Sequence, residues 1–459
     1  MTGNRAPATP VSHDGVSEQR RREVIDALRR GTVPSHGLDA LAVGLGRFED
    51  AVDEALEQAA VGGAVFKAIR GEYGAGKTFF SRWLAQRARG RGFGSTEIQT
   101  SENETPLHRL ETVYRRVTEH LTTAEFTASA LRQVVDAWFY ALEQDALAER
   151  PGDQSGDEPD LNHRVEELIE QRLARISATA PSFSAALRGY GRAVAVGDQP
   201  LAEGLIAWLG GQPHVGGVIK RSAGIRGQLD HDGALAYLAG LLTVLRDCGY
   251  SGLVMVLDEV ETLQRVRGDI RDKALNSLRQ LIDDVDAGRF PGLMLVATGT
   301  PAFFDGPQGA QRLTPLAQRL HVDFLADPVF DNPRAVQIRL PGFTHEGLVE
   351  LGGKVRSLYT AGSKHSQRLT IAVDDDYVEA LARSLEGQFG GRAVVAPRVF
   401  VKKLVDVLDR VDQYPEFDPR RDYMLRLSAA ELTDVERAAM PAPPPLPPAS
   451  SPDDIDLST

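Results

Sequence analysis

The chain reads as an α/β protein built on a parallel sheet, and three observations predict it. A short β-rich run at 64–69 and apolar runs at 253–257 and 293–297 alternate with amphipathic helical stretches. The runs at 253–257 and 293–297 are apolar throughout, as in strands buried on both faces of a sheet. Residues 71–78, Gly-Glu-Tyr-Gly-Ala-Gly-Lys-Thr, form a complete G-x-x-x-x-G-K-[ST] phosphate-binding loop between the first run and a helical stretch.

The elements follow in order. Residues 1–19 are polar and contain Gly, Pro and Ser, the composition of a disordered tail. From Arg20 to Gly31, apolar Val24, Ile25 and Leu28 mark a short amphipathic helix, and a second helix is expected over 46–60. The strand at 64–69, the loop and a helix over 79–89 come next. A second strand over 96–100 runs into polar Ser101-Glu102-Asn103-Glu104-Thr105, where Thr105 is the expected N-cap and Pro106 the first position of a helix reaching Leu121. The stretch 126–208 is almost entirely helical, broken by Gly, Asp and Pro at 151–160. A helix over 234–246 leads into the strand 253–257, a helix over 269–286 into the strand 293–297, and 337–340 is a fifth strand. Beyond Pro341 the pattern is helical to about Tyr414. Pro-Ala-Pro-Pro-Pro-Leu-Pro-Pro at 441–448 then opens an acidic, polyproline-like tail without core-forming residues.

The loop carries the most specific chemistry. Gly71 and Gly76 allow a tight wrap in which backbone N–H groups face phosphate oxygens, and Lys77 brings a positive charge to the β- and γ-phosphates. Thr78 offers a hydroxyl to Mg²⁺ at a helix N-terminus, whose positive dipole end also favours the anion. The segment Gly71, Glu72, Tyr73, Gly74, Ala75, Gly76, Lys77, Thr78 and Phe79 is therefore the expected nucleoside-triphosphate site.

The strand 253–257 ends in Asp258-Glu259, two carboxylates lifted to the carboxyl edge of a sheet, where ligands bind in this fold class. Asp258 is the candidate Mg²⁺ ligand and Glu259 the candidate general base for an attacking water. Asp-Glu is also how an ordinary strand end meets solvent; the phosphate loop decides for the functional reading. Thr298, with Thr300 second, would reach the γ-phosphate if its strand lies between the other two, although threonines beside Gly299 and Pro301 also make simple turns. Arg312 and Arg319 follow that strand, and Arg392 and Arg398 stand in the C-terminal helical part. Any of them could balance γ-phosphate charge, in the same chain or across a homo-oligomer, or be a surface ion pair.

Composition narrows the alternatives. At 459 residues, with 42% hydrophobic and 25% charged residues, the chain is long enough for two or three domains. Cys248 is the single cysteine, so no internal disulfide forms and a reducing, cytoplasmic setting is expected, with Cys248 in the core. No apolar run approaches the ~20 residues of a bilayer span. The net charge of −12 argues against general nucleic-acid affinity but leaves room for a local DNA-facing patch. Arg392, Arg398, Lys402, Lys403, Arg410, Arg420, Arg421 and Arg426 make such a patch, or a solvated helix face. No H-E-x-x-H, cysteine cluster or G-x-S-x-G occurs, so zinc and serine-hydrolase chemistry have no support.

Asp258-Glu259 after its strand, the polar strand end at Thr298 and the helical C-terminal part resemble the AAA+ pattern, in particular the branch containing origin-recognition ATPases. More narrowly, four stretches resemble the BrxD family of P-loop ATP-binding proteins from BREX phage-exclusion systems. They are 71–80, 101–110 (Ser-Glu-Asn-Glu-Thr-Pro-Leu-His-Arg-Leu), 257–263 (Leu-Asp-Glu-Val-Glu-Thr-Leu) and 299–304 (Gly-Thr-Pro-Ala-Phe-Phe). The likeness runs from about Arg20 to Tyr423. It implies ATP with Mg²⁺ as cofactors, an antiviral role and partners that include a DNA methyltransferase, an alkaline-phosphatase-like protein and helicase-like proteins. Two features depart from a usual AAA+ core: a long helical insertion at about 122–230, and Thr298 where many relatives carry Asn.

The expected organisation is a disordered tail at 1–19 and an AAA+-like ATPase core at 20–343 that includes the insertion. A C-terminal helical lid with a winged-helix part at 344–430 and a Pro-rich tail at 437–459 follow. The expected activity is ATP hydrolysis coupled to conformational change and to partner or DNA engagement. A nucleotide-dependent scaffold or switch with little hydrolysis, and an origin-recognition-like DNA-binding loader, stand as alternatives.

Overall fold

The computed structural model describes residues 17–148, 158–178, 180–388, 397–424 and 437. Residues 1–16, most of the break at 151–160, Arg392, Arg426 and the Pro-rich stretch 441–448 lie outside the described residues. The chain divides into two compact units. One comprises Gly44–Glu72 and Gly76–Pro341; the other comprises Met1–Val43, Tyr73–Ala75 and Gly342–Thr459.

Within the second unit, α1 (Glu18–Arg30) buries Val24, Ile25, Ala27 and Leu28 on one face and ends at Gly31. In the first unit, α2 (Gly46–Ala60) places Phe48, Ala51, Val52, Ala55, Leu56 and Ala59 on a buried stripe of helical period. It leads to β1 (Val65–Arg70), the phosphate loop, α3 (Lys77–Arg89) and β2 (Phe93–Gln99).

Then come α4 (Leu110–Glu119), α5 (Leu131–Ala148), α6 (Glu158–Ser177), α7 (Pro181–Ala195), α8 (Gln199–Leu209), α9 (Gly217–Ser222) and α10 (His231–Asp247). The start of α4 differs from the expectation at Thr105. The Ser101 hydroxyl accepts from the N–H groups of Glu104 and Thr105, and Arg109 N donates to Pro106 O, so 101–109 is spent in turns.

The sheet is completed by β3 (Gly252–Asp258), β4 (Leu293–Gly299) and β5 (Gln337–Arg339), with α11 (Gly268–Asp286), α12 (Pro301–Asp305) and α13 (Thr314–Leu320) among them. All strand pairs are parallel, in the order β2-β3-β4-β1-β5. Every residue of β3 and β4 is buried, as their unbroken apolar text requires. β4 therefore separates the strand that feeds the phosphate loop from the strand that ends in Asp258.

The helical insertion shares one hydrophobic core with the sheet. Trp138, Phe183, Tyr190, Leu205 and Trp208 join Leu253, Met255 and Leu257 in a single buried cluster. Tyr237 of α10 is the hinge of that packing, edge-on to Tyr114 at 5.6 Å and to Phe183 at 5.0 Å between ring centroids. Cys248 lies at the end of α10, half-buried, its thiol donating to Val134 O at 3.5 Å.

In the second unit α1 packs on α14 (His345–Thr360) and α17 (Pro397–Gln413), beside α15 (Ser366–Ala372), α16 (Asp375–Gln388) and α18 (Pro419–Asp422). Arg29 makes a two-pronged ion pair with Asp409, both bonds 2.7 Å, and Tyr359 Oη donates to the same carboxylate. The core expected from residue 20 thus loses its first helix to the C-terminal unit, because the apolar face of α1 is completed there. Among the described residues of 344–424 there are helices and no strand, so the β-hairpin of a winged helix is not among them.

Candidate functional site

The phosphate loop leaves β1 at Arg70 and enters α3 at Lys77. Its left-handed positions are Gly74 (φ 79°) and Gly76 (φ 88°), rather than Gly71, for which the sequence suggested the tight wrap. A side chain at either position would be strained, so glycine is needed there for the backbone to turn its N–H groups inward. Gly71 instead anchors the loop, donating its N–H to Gly299 O at the end of β4 (3.1 Å).

Lys77 is only 8% exposed. Its ammonium donates to two carbonyls of its own loop, Gly71 O at 3.0 Å and Glu72 O at 3.3 Å, and lies 3.6 Å from Glu261 Oε1. The turn that makes this possible starts at Glu259, a non-glycine residue in the left-handed region (φ 57°, ψ 47°), and continues as a 3-10 helix over Val260–Gln264. Thr262 Oγ1 ties that turn to Glu259 O and to Thr100 O. Glu261 follows inward, 4% exposed, and neither of its carboxylate oxygens has a hydrogen-bond partner. Burial holds its carboxyl above the usual range, with the nearby Lys77 charge pulling the other way.

Asp258, the last residue of β3, is gripped from both sides. Thr78 Oγ1 donates to its Oδ2 at 3.1 Å, and Thr298 Oγ1 donates to its Oδ1. The Thr298 oxygen also accepts the backbone N–H of Glu259 at 3.1 Å. Glu259 Oε2 accepts from Gln99 Nε2 at 2.9 Å, and the β2–β3 register sets Gln99 directly opposite Asp258.

The structure therefore brings together Lys77, Thr78, Asp258, Glu259 and Thr298. It gives Thr298 a different post from the one expected: the side chain is fully buried, and its single proton is committed to Asp258 rather than offered to a ligand. Thr300 is buried as well. The arginines of this unit are committed elsewhere. Arg312 pairs with Asp272, one bond 3.0 Å, and Arg319 pairs with Asp283 and donates to Pro315 O, so both are held on α11 and its neighbours. Arg398, second in α17, lies beside Gly31 in the other unit.

In the expected DNA-facing patch, Arg410 pairs with Asp406, Arg420 with Asp374 and Arg421 with Asp422.

Gln99 and Glu261 were not singled out from sequence. Gln99 becomes visible only once strand ends are aligned. Glu261 had a signal, a third acid two residues after Glu259 in an apolar context, where a carboxylate must be paired or functional.

The donor set fits its expected occupants. A hydroxyl and a carboxylate 3.1 Å apart are hard oxygen donors, suited to Mg²⁺ with phosphate oxygens and waters completing its shell. Glycine-turned N–H groups at the start of a 13-residue helix, with a lysine, suit a polyphosphate. Among the described residues no cluster of three His, Cys, Asp or Glu could hold a metal alone, and no helix is long and apolar enough to cross a membrane. One protein family, described as BREX system ATP-binding protein BrxC/D, matches residues 16–426. No curated protein and no solved structure matches the chain.

Proposed function

The chain belongs to the BrxC/D family of BREX system ATP-binding proteins, and from that premise we propose that it is a Mg²⁺-dependent ATPase of the AAA+ type acting in phage defence. The observation that carries this is Asp258, fixed between the hydroxyls of Thr78 and Thr298 at the mouth of the phosphate loop, with Glu259 next in the chain. The strand order, with β4 between β1 and β3, supports the AAA+ assignment.

Bound Mg²⁺·ATP would supply the phosphoanhydride bond to be cleaved and a cation that neutralises its charge. Lys77 and the loop N–H groups bind and orient the phosphates. Thr78 and Asp258 are the metal-holding residues, and Thr298 keeps the Asp258 carboxylate in one orientation. Glu259 takes the proton of the attacking water, once its carboxylate leaves Gln99. Arg319, paired with Asp283 on α11, would serve the nucleotide after leaving that partner or from a second copy of the chain, which is the sense in which we expect a homo-oligomer; Arg398 stays a candidate from the other unit.

Family membership implies other BREX components as partners, for which the methyltransferase, phosphatase-like and helicase-like proteins are the proposed candidates. A second reading, a slow nucleotide switch, is favoured by one observation: Gln99 Nε2 donates to one oxygen of the base. The acidic partners of Arg410, Arg420 and Arg421 lower the net positive charge that a DNA-binding loader would present.

Phosphate release from Mg·ATP by the purified protein, with and without duplex DNA, tests these readings. Turnover lost in both Lys77→Ala and Glu259→Gln supports the ATPase. ATP binding without turnover in the wild type supports the switch, and unchanged turnover in Glu259→Gln would remove the base from its role.

A further inference from the structure

Glu261 is the unexplained group of the site. A carboxylate 4% exposed, with both oxygens lacking a hydrogen-bond partner, is costly and persists only where a charge compensates it. Lys77 Nζ, at 3.6 Å, is that charge. The ammonium is meanwhile folded back onto Gly71 O and Glu72 O, the carbonyls of its own loop. A second anion at this ammonium competes with Glu261 for its charge. If the ATP-site reading above holds, incoming phosphate must draw the ammonium from Glu261 or share it.

We propose that Glu261 is a positioning residue that holds Lys77 inside the phosphate loop and competes with phosphate for its charge. Two consequences have opposite sign. The pair keeps the loop formed before nucleotide arrives, because it ties Lys77, which holds the Gly71 and Glu72 carbonyls of the loop, to the turn after β3. The same pair weakens nucleotide binding, because a resident anion must be displaced from the lysine and a negative charge remains near a polyanion.

Glu261→Gln keeps the shape and removes the charge. The protein with this change should bind Mg·ATP about threefold or more tightly, by titration with the unmodified nucleotide. Its nucleotide-free melting temperature should fall by about 3 °C, since a buried Lys77 loses its counter-charge. Lys77→Met should also lower that temperature, by stranding Glu261. The double variant Lys77→Met/Glu261→Gln should recover most of the loss, a non-additive cycle that an indirect packing effect would not produce.

Additive melting shifts, or an Mg·ATP affinity in Glu261→Gln equal to or weaker than that of the wild type, would overturn the proposal. A wild type that binds no Mg·ATP would overturn the functional reading and the competition together. It is told apart from failure of the inference alone, in which the wild type binds and the Glu261 variant binds no better.

Discussion

Thr298 and Asp258 are joined by a buried hydrogen bond between neighbouring strand ends, the threonine hydroxyl donating to Oδ1 of the carboxylate while its oxygen receives the N–H of Glu259. One side chain thus orients both acids of the strand end, the first through its carboxylate and the second through its backbone.

Thr298→Ala leaves the Asp258 carboxylate and the Glu259 N–H without that partner. Turnover of Mg·ATP should fall by about 10- to 100-fold, the worth of a hydrogen bond to a charged group, with nucleotide affinity changed little. Thr298→Ser keeps the hydroxyl and should restore most of the activity. Equal losses in the two variants would mean that volume, rather than the hydroxyl, matters at this position.

Thr78 supplies one of two hard donors at the expected metal position. Thr78→Ala should raise the Mg²⁺ concentration needed for half-maximal turnover by about tenfold. Mg²⁺ titration at saturating ATP reads this directly, and an unchanged midpoint would take Thr78 out of the metal shell.

Trp138 lies in the insertion yet sits in the same buried cluster as the sheet strands, its indole N–H donating to Asp247 at 3.3 Å. Trp138→Ala should cost about 3–5 kcal/mol. Because the core is shared, the sheet and α5–α10 should unfold in one denaturant transition, seen alike by circular dichroism and tryptophan fluorescence. An early transition confined to the insertion would contradict a shared core.

Gly252 opens β3 against Gly292, whose carbonyl accepts the N–H of Leu253 at 2.9 Å. A Cβ at Gly252 would run into that carbonyl oxygen, which is backbone and cannot rotate away. Gly252→Ala should therefore destabilise by about 1–3 kcal/mol, measured by chemical denaturation. A variant as stable as the wild type would show that the strand end yields.

Burial, helped by Asp247, pushes the Cys248 thiol up to about 12. Reactivity follows the thiolate, and at pH 8 its fraction is then on the order of 1 in 10⁴. Alkylation of the native protein at pH 8 should be far slower than that of the unfolded chain, and should rise with pH up to the limit of stability. Rapid native alkylation at pH 8 would contradict the raised thiol.

Much of this arrangement was legible in advance for a physical reason. The loop at 71–78 and the apolar runs ending at Asp258 and Thr298 depend on local rules, glycine conformations and side-chain periodicity, which operate within a few residues. The helix over 46–60 has its expected limits for the same reason. Expectations failed where a local signal had a competitor. Pro106 looked like a helix start, but Thr105 O, which would accept the first helical N–H, receives the Ser101 N–H instead, and Arg109 N bonds Pro106 O.

What neighbouring residues could not dictate was set by pairing between distant segments. Only the order β2-β3-β4-β1-β5 brings Thr298 against Asp258 and Gln99 opposite it. The left-handed turn at Glu259 sends Glu261 inward to Lys77, 184 positions away in the chain. Arg29 likewise finds Asp409 and carries the first helix into the C-terminal unit. Residue types and spacing name the chemical groups at this site, because each group's chemistry is local. Which groups face one another is decided by strand register and burial, and these are properties of the folded chain.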